Sequence, residues 1–154
     1  MTLMDQGQIV EFAPEHAGQV IALISRVLRD QKVLPESDEP IRDDDLYHIA
    51  ENYREPGRFW VYLSGERVLG TVALLESTSS TAQLKCMFVA TACHGQGIGQ
   101  ALLDRALDFA RARQYSEMIL STHPLMQRAH RFYERNGFAR AADIGENHAY
   151  LLKL

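Results

Sequence analysis

The sequence predicts an α/β fold in which a mixed central sheet is flanked by helices, and two observations carry this prediction. First, segments in which apolar and polar side chains alternate are interleaved with segments of 3.6-residue apolar periodicity. Second, the run Val68–Leu75 is apolar on both faces, as expected for a central strand covered on two sides. The predicted order is βααβββαβαβ with a further strand at the end, which is typical of sheets with helices on their faces.

The first half of the chain is predicted to contain a strand, two helices and a hairpin. A short strand at Ile9–Phe12 precedes a helix over Pro14–Asp30, where proline is tolerated because the first helical amide needs no acceptor. A second helix is predicted over Asp43–Tyr53. The next two strands form a hairpin, because the loop between them has a length that hairpins favour; they are Phe59–Leu63 and Val68–Leu75.

The segment that joins the two predicted helices is rich in acids. These are Glu36, Asp38, Glu39, Asp43, Asp44 and Asp45. One interpretation is a solvated loop whose last acids begin the second helix and complement its dipole. The other interpretation is an acidic lip that attracts a cationic amine.

The stretch Gln83–Gly99 changes from a strand to a glycine-rich turn and then to a helix. Apolar and polar residues alternate along Gln83–Val89, and from Ile98 onward apolar residues recur with helical spacing. The glycines of the turn lack Cβ atoms, so another molecule can approach the backbone closely, and the first helical amides have no intrahelical acceptors. The turn is therefore predicted to bind an anion.

The last third of the chain is predicted to hold a strand at Met118–Thr122, a helix within Met126–Phe138 and a final strand at His148–Leu154. A turn at residues 145–147 precedes the final strand. At 154 residues, without a repeat or linker, the chain is predicted to be a single domain spanning residues 1–154.

Composition excludes several classes of function. The net charge of −4 argues against a nucleic-acid binder, which would need a basic surface to neutralise phosphates. The N-terminal residues have no apolar run and are not expected to form a signal peptide, and no run approaches the roughly 18 apolar residues of a membrane span, so a soluble cytoplasmic protein is expected. The six histidines show no metal-ligand spacing, so no metal is expected.

The two cysteines, Cys86 and Cys93, are predicted to be structural. Cys86 falls within a predicted strand and is expected to be a small buried hydrophobe. Cys93 precedes His94, and this pair suggests a nucleophile. Neighbours in a loop seldom point at each other, however, and no third group is evident, so the structural interpretation is favoured.

Three kinds of phosphate-binding loop compare with the glycine turn. A P-loop requires Lys-Ser/Thr after its last glycine, but Gln100 follows Gly99. A dinucleotide fingerprint requires glycine where Gln100 stands and an acidic residue after the next strand, where Thr122 and His123 stand. The third kind is the pyrophosphate loop of the GNAT acetyltransferase superfamily, Arg/Gln-x-x-Gly-x-Gly/Ala. His94–Gly99 resembles it, with His94 in place of Arg or Gln.

A second motif strengthens this resemblance. Ala129-x-x-Phe132-Tyr133-x-x-x-Gly137-Phe138 is similar to the second half of the GNAT signature, a helix that carries a Phe-Tyr pair and is ended by Gly-Phe. The resemblance implies the GNAT (acyl-CoA N-acyltransferase) fold, whose fourth and fifth strands splay apart and hold the pantetheine arm of acetyl-CoA. Small proteins of the superfamily often dimerise, so a homodimer is the implied candidate assembly.

The resemblance also implies an activity, acetyl-CoA-dependent transfer of an acetyl group to the primary amine of a small molecule. Tyr133 stands where the family often has its general acid, although its helical spacing from Ala129 and Phe132 also suits a core aromatic. The implied cofactor-binding residues are Met87, Phe88, Val89, His94, Gly95, Gln96, Gly97, Ile98, Gly99, Gln100 and Tyr133.

The general base is the weakest part of the pattern. Many relatives carry a glutamate where this chain has Gln83, and an amide cannot take a proton. Glu76, His123 or a water relayed by Gln83 are the candidates, and His123 has a suitable intrinsic pKa. Because Gln83 and His94 depart from the family pattern, a non-catalytic acyl-CoA-binding module is an alternative. A protein N-acetyltransferase and a nicotinamide dinucleotide binder are further alternatives.

Overall fold

The computed structural model describes residues 7–154. Its strands are β1 Gly7–Glu11, β2 Arg58–Ser64, β3 Arg67–Thr78, β4 Thr81–Val89, β5 Glu117–Thr122, β6 Ala139–Ile144 and β7 Asn147–Lys153. Its α-helices are α1 Ala17–Asp30, α2 Asp44–Tyr47, α3 Ile49–Asn52, α4 Ile98–Ala112 and α5 Gln127–Arg135. Short 3₁₀ turns at Pro14–His16 and Thr91–Cys93 precede α1 and the glycine turn.

The strands form one seven-stranded sheet in the order β1-β2-β3-β4-β5-β7-β6. All neighbouring strands are antiparallel except β4 and β5, which are parallel. This arrangement confirms the predicted mixed sheet flanked by helices. The predicted hairpin is also confirmed, since Ser64 pairs with Arg67 and Gly65 has the positive φ of 61° that a two-residue turn requires.

Two apolar cores lie on opposite faces of the sheet, because successive side chains of a strand point to opposite faces. In β2, Trp60 belongs to the core under α4 and α5, and Val61 belongs to the core under α1, α2 and α3. Ile98, Leu102 and Ala106 line one face of α4, while Val20 and Ile24 do the same in α1. The sheet is thus packed between helices on both faces. The chain leaves the C-terminal end of β4 through the glycine turn and enters α4.

The prediction of one continuous helix over Asp43–Tyr53 is wrong, because this segment forms two separate single-turn helices, α2 and α3. The chain leaves helical conformation at His48, whose φ is −138° and ψ is 42°. Such short segments are marginal as isolated helices, so tertiary contacts decide their conformation. Leu46 and Ile49 are buried in the core beside α1, and the hydroxyl of Tyr53 donates to the carboxylate of Asp45.

Within the described residues, no helix is both long and apolar enough to cross a membrane. The cytoplasmic location stays a prediction.

Candidate active site

The parallel strands β4 and β5 separate soon after they pair. Thr81, Ala82 and Gln83 of β4 pair with the first three residues of β5, and no pairing between these two strands continues beyond Gln83 in residues 7–154. Among residues 7–154, the rest of β4 pairs with β3 alone. The predicted splaying is therefore confirmed, and it opens a gap between the C-terminal halves of the two strands.

A β-bulge in β4 changes which face of the sheet the later side chains of this strand point to. Thr71 is opposite Phe88 and Ala73 is opposite Lys85, so two residues of β4, Cys86 and Met87, face one residue of β3. Cys86 has a φ of 51°, and its carbonyl oxygen accepts a 2.6 Å hydrogen bond from the hydroxyl of Thr71. The alternation predicted along Gln83–Val89 is wrong past the bulge, because a residue is inserted there.

The bulge also decides where Cys86 lies. Its thiol is in the core beside α1, whereas Leu84 packs on the opposite face. Burial raises the pKa of the Cys86 thiol to about 11, so the thiol stays protonated at neutral pH. Cys93 is buried beside the glycine turn, and both cysteines are free.

The glycine turn leads directly into α4. Gly95 and Gly97 have φ values of 81° and 84°, a left-handed conformation that favours glycine, and Gly97 is the N-cap of the helix. No side chain caps this helix within the described residues. The first intrahelical bond runs from the Ala101 amide to the Gly97 carbonyl, so the amides of Ile98, Gly99 and Gln100 precede the helical ladder. These donors and the helix dipole favour an anion.

A cavity of about 310 Å³ lies against this turn. Arg128 and Arg135 of α5 are the charged residues of its lining, and no carboxylate of residues 7–154 joins them. The lining also includes most of the predicted cofactor-binding residues, which are Met87, Phe88, Val89, His94, Gly95, Gly97, Ile98, Gly99, Gln100 and Tyr133. Gln96 is outside the lining, although it lies within the turn. A cationic cavity at a helix N-terminus fits a phosphate-bearing ligand.

His94 connects the turn to the sheet. Its Nε2 donates to the carbonyl oxygen of Val89, 3.1 Å away, so the neutral ring carries its hydrogen on Nε2. Burial and the charge of Arg128 lower the pKa of His94, while the hydrogen bond to Val89 raises it. His94 is therefore neutral at pH 7. This bond engages the carbonyl of Val89, one of the residues predicted to bind the cofactor.

A second cavity of about 290 Å³ fills the gap between β4 and β5. It shares five residues with the first cavity: Met87, Phe88, Met126, Ala129 and Tyr133. The two cavities therefore meet at these side chains. The polar and charged residues of its lining include Gln83, Lys85, His123 and Asn147.

Tyr133 is 5% exposed and lies at the junction of the two cavities. Burial alone raises the pKa of its phenol above the usual 10, and no charged group or hydrogen bond of the described residues contributes. Its ring packs edge-on against Phe132 and Phe138. The hydroxyl is thus protonated at neutral pH and adjoins both cavities.

The sequence model of the Acetyltransferase (GNAT) family matches residues 21–138. The chain belongs to this family. This chain is 34% identical over 111 residues to the N-acetylaspartate synthetase of Danio rerio. The alignment covers 70% of this chain and 38% of the relative. Since the chain spans less than half the length of that relative, the single domain over residues 1–154 stays a prediction.

Solved structures agree with this assignment. An acetyltransferase from Streptococcus agalactiae superposes with a TM-score of 0.84 and 29% identity, covering 97% of this chain and 99% of that one. The PaiA N-acetyltransferase from Thermoplasma acidophilum, solved in complex with coenzyme A, superposes with a TM-score of 0.77 and 16% identity. That superposition covers 96% of this chain and 99% of the PaiA chain. The predicted GNAT fold is confirmed.

The two proposed bases of the GNAT chain differ in position. His123 lines the second cavity, but its Nδ1 accepts a 3.1 Å hydrogen bond from the Leu125 amide. The ring's lone pair is therefore engaged, and Nε2 carries the hydrogen. Glu76 lies outside the lining of both cavities among residues 7–154 and accepts a 2.8 Å hydrogen bond from the Tyr115 hydroxyl, beyond the C-terminal end of α4. The structure does not bring Glu76 to the site.

Several residues of this GNAT site were not identified from sequence. Arg128 and Arg135 are seven residues apart in α5 and line the first cavity together with Ala129 and Phe132. Their helical spacing was a usable signal, because residues at such intervals share one face. Lys85 and Asn147 carried no such signal, since one lies in β4 beside the gap and the other begins β7, and the sequence does not show that these two strands border one cavity.

Proposed function

We propose that this chain is an acetyl-CoA-dependent N-acetyltransferase that acetylates the primary amine of a small molecule by direct transfer. The observation that carries the proposal is the meeting of two cavities at Tyr133. One cavity offers helix amides and arginines for a pyrophosphate. The other lies in the gap between β4 and β5, where the thioester end of the pantetheine arm would reach the junction and the acceptor would occupy the space beyond it. The coenzyme A complex of the PaiA protein and the names of the relatives support the same interpretation.

The residues present fit acetyl-CoA. The amides of Ile98, Gly99 and Gln100 would hold the pyrophosphate at the N-terminus of α4, and Arg128 and Arg135 would add positive charge. When bound, acetyl-CoA supplies the activated thioester. The backbone of Met87, beside the bulge, would align the pantetheine arm along β4.

Tyr133 would act as the general acid. The acceptor nitrogen forms a bond to the acetyl carbon while the carbon–sulfur bond breaks, and the electron pair of that bond stays on sulfur. Sulfur takes the phenolic proton of Tyr133, and the proton lost from nitrogen returns through solvent to the phenolate, so the protons balance. Because burial raises the pKa of Tyr133, the proton is available throughout the neutral range.

No carboxylate within residues 7–154 lines either cavity, so the amine must lose its proton to solvent or to a relayed water. The same observation favours a second candidate, a non-catalytic acyl-CoA-binding module. The volume of the second cavity, about 290 Å³, favours a small acceptor over a protein surface. The predicted homodimer stays a prediction.

The test is an assay of free CoA release from acetyl-CoA with a panel of primary amines, combined with a thermal-shift measurement. We expect acetyl-CoA to raise Tm and at least one amine to accelerate CoA release. A rise in Tm without turnover across the panel would favour the binding module. No rise in Tm with acetyl-CoA, but a rise with NADH, would favour the dinucleotide binder.

A further inference from the structure

We propose that the acceptor carries a carboxylate close to its amine, and that Lys85 in the second cavity binds this carboxylate. The inference rests on the proposed acetyl transfer and specifies the acceptor class, an amino acid or a similar amino carboxylate.

The charges of the second cavity are asymmetric. Lys85 is its one formally charged residue, and no aspartate or glutamate among residues 7–154 belongs to its lining. A cavity built for a purely cationic amine would be expected to present a carboxylate instead. The lining therefore favours an acceptor that brings its own negative charge.

Lys85 has no partner to neutralise it. In the part of the chain that the structure describes, its ammonium makes no ion pair or hydrogen bond, although it is half-buried and its charge lowers the pKa of the neighbouring Cys86 thiol. Lys153, by contrast, pairs with Glu117 at 3.1 Å. An ammonium without a partner in a cavity is free to bind a ligand carboxylate, and such a charge-assisted hydrogen bond is stronger than a neutral one.

Two acids near this strand have hydrogen-bond partners of their own. Asp43 and Asp45 both raise the pKa of Cys86, so they lie near the same strand. Asp45 accepts a hydrogen bond from the Tyr53 hydroxyl, and Asp43 accepts one from the Asp45 amide and caps α2. These contacts favour the capping interpretation of this part of the acidic segment over the acidic lip. Neither acid forms an ion pair with Lys85 within residues 7–154, so the ammonium is available for a ligand.

The other polar groups of the cavity add donors. His123 carries its hydrogen on Nε2, because Nδ1 accepts from the Leu125 amide. The side-chain amides of Gln83 and Asn147 make no hydrogen bond within residues 7–154 and can each donate twice. A carboxylate is an acceptor-only group with about four lone-pair sites, so it matches a set of one cation and several donors.

The separation between Lys85 and the junction of the two cavities limits the distance between the amine and the carboxylate of the acceptor. Lys85 lies two residues before Met87, which is part of the junction where Tyr133 stands. Because two residues of a strand span about 7 Å, an amine at the junction and a carboxylate at Lys85 would fit one small molecule. Amine and carboxylate a few bonds apart satisfy this arrangement.

The test compares acceptors that share one carbon skeleton: an α-amino acid, its primary amide and the decarboxylated amine, over several skeletons. CoA release gives kcat/KM, which is expressed per concentration of unprotonated amine so that differences in amine pKa cancel. We expect the carboxylate form to be preferred about ten- to a hundredfold, the range for a hydrogen-bonded charge. Lys85→Met should remove the preference and Lys85→Arg should keep most of it.

Lys153→Met is the matched control and should leave the preference unchanged. The rise in Tm with acetyl-CoA verifies that each variant folds and binds the donor. Turnover with equal kcat/KM for acid, amide and amine would overturn the carboxylate inference and leave acetyl transfer standing. No turnover with any amine would overturn both. A Lys85→Met variant that loses acetyl-CoA binding but keeps its acceptor preference would assign Lys85 to the donor and also overturn the inference.

Discussion

The imidazole of His94 donates from Nε2 to the carbonyl oxygen of Val89 across 3.1 Å, and this bond ties the start of the glycine turn to the last residue of β4. His94 stands where the family motif has Arg or Gln, and here its side chain braces the glycine turn against β4. A brace acts on the ligand through the backbone, because it holds Gly95 and Gly97 near the end of the strand. Its removal should therefore affect both folding and donor binding.

We predict that His94→Ala lowers the stability of the fold by about 1 kcal/mol, the typical net contribution of one hydrogen bond. For a chain of this size that corresponds to a fall in Tm of about 2–4 °C. Acetyl-CoA binding should weaken as well, since the turn loses an attachment to β4. Thermal melts and a thermal-shift titration with acetyl-CoA measure the two effects.

The control is His48→Ala, which removes an exposed histidine whose contact with Glu51 lies at the surface. We expect that variant to melt and to bind acetyl-CoA as the wild type does. Equal behaviour of the two variants would show that the bond to Val89 does not brace the turn.

Local patterns were sufficient to predict the glycine turn and the helix that carries Tyr133, whereas features that depend on partners distant in sequence were not predictable. The conformations of Gly95 and Gly97 and the helix start at Ile98 follow from residues next to one another. The bulge at Cys86 depends on Thr71, fifteen residues earlier, and that pairing exists only in the sheet. The engaged Nδ1 of His123 likewise follows from the loop geometry and not from its residue type.

The same reasoning explains the failure of Glu76 as a base. Its place near the end of a predicted strand did not reveal which end of the sheet it would occupy. Its partner Tyr115 follows α4, whereas the anion site precedes that helix. The parallel pairing of β4 with β5 sets these two ends apart, and sequence spacing alone does not contain that pairing.

A second prediction concerns the charge of the glycine turn. Gly97→Glu should abolish the rise in Tm with acetyl-CoA, because the substitution adds a negative side chain where phosphates would lie. It should also cost about 1–2 kcal/mol of stability, since residue 97 has a φ of 84°. Gly145→Glu is matched to it in charge and positive φ, and lies in the turn before β7. That control should lose similar stability and keep the acetyl-CoA response.

A third prediction follows from two histidines whose folded-state pKa is lowered. Burial is the main cause for both His94 and His130. Below the unfolded value of about 6.5 the unfolded chain binds protons more readily than the folded chain, so stability must fall as pH decreases through and below 6.5. We expect a lower free energy of unfolding at pH 5.5 than at pH 7.5, measured by urea denaturation.

Both pH values lie above the pH at which paired carboxylates begin to lose their charge in the folded state. Glu55, for example, has a pKa of about 2. A variant with His94→Gln and His130→Gln should show a smaller decrease between the two pH values. An identical decrease in wild type and double variant would attribute the pH dependence to other groups.

A fourth prediction concerns the pH dependence of the rate. No carboxylate of residues 7–154 lines the site and the lone pair of His123 is engaged, so the acceptor must arrive unprotonated. We expect kcat/KM to rise with pH up to the pKa of the acceptor amine itself. The profile should not fall below about pH 10, because the raised pKa of Tyr133 keeps the acid protonated.

Two acceptors with different amine pKa values provide the control. Their profiles should be displaced from each other by the difference in amine pKa. An inflection near pH 6–7 that is common to both acceptors would instead indicate an ionising base on the protein.

The last prediction tests the general acid. Tyr133→Phe removes one hydroxyl and keeps the ring that packs against Phe132 and Phe138, so Tm and acetyl-CoA binding should change little. General acid catalysis contributes about 10² to 10⁴ in rate, so kcat should fall by a factor in or somewhat below that range. Steady-state kinetics with acetyl-CoA and an active amine measure the change.

Tyr115→Phe is the matched control, since Tyr115 is also buried but its hydroxyl donates to Glu76 outside both cavities. That variant should lose about 1 kcal/mol of stability with the hydrogen bond and keep its kcat. The deficit of Tyr133→Phe should shrink with an acyl donor whose thiolate leaves more easily, because such a leaving group needs less protonation. A Tyr133→Phe enzyme with wild-type kcat would show that this tyrosine, although it lies where the two cavities meet, is only a core aromatic.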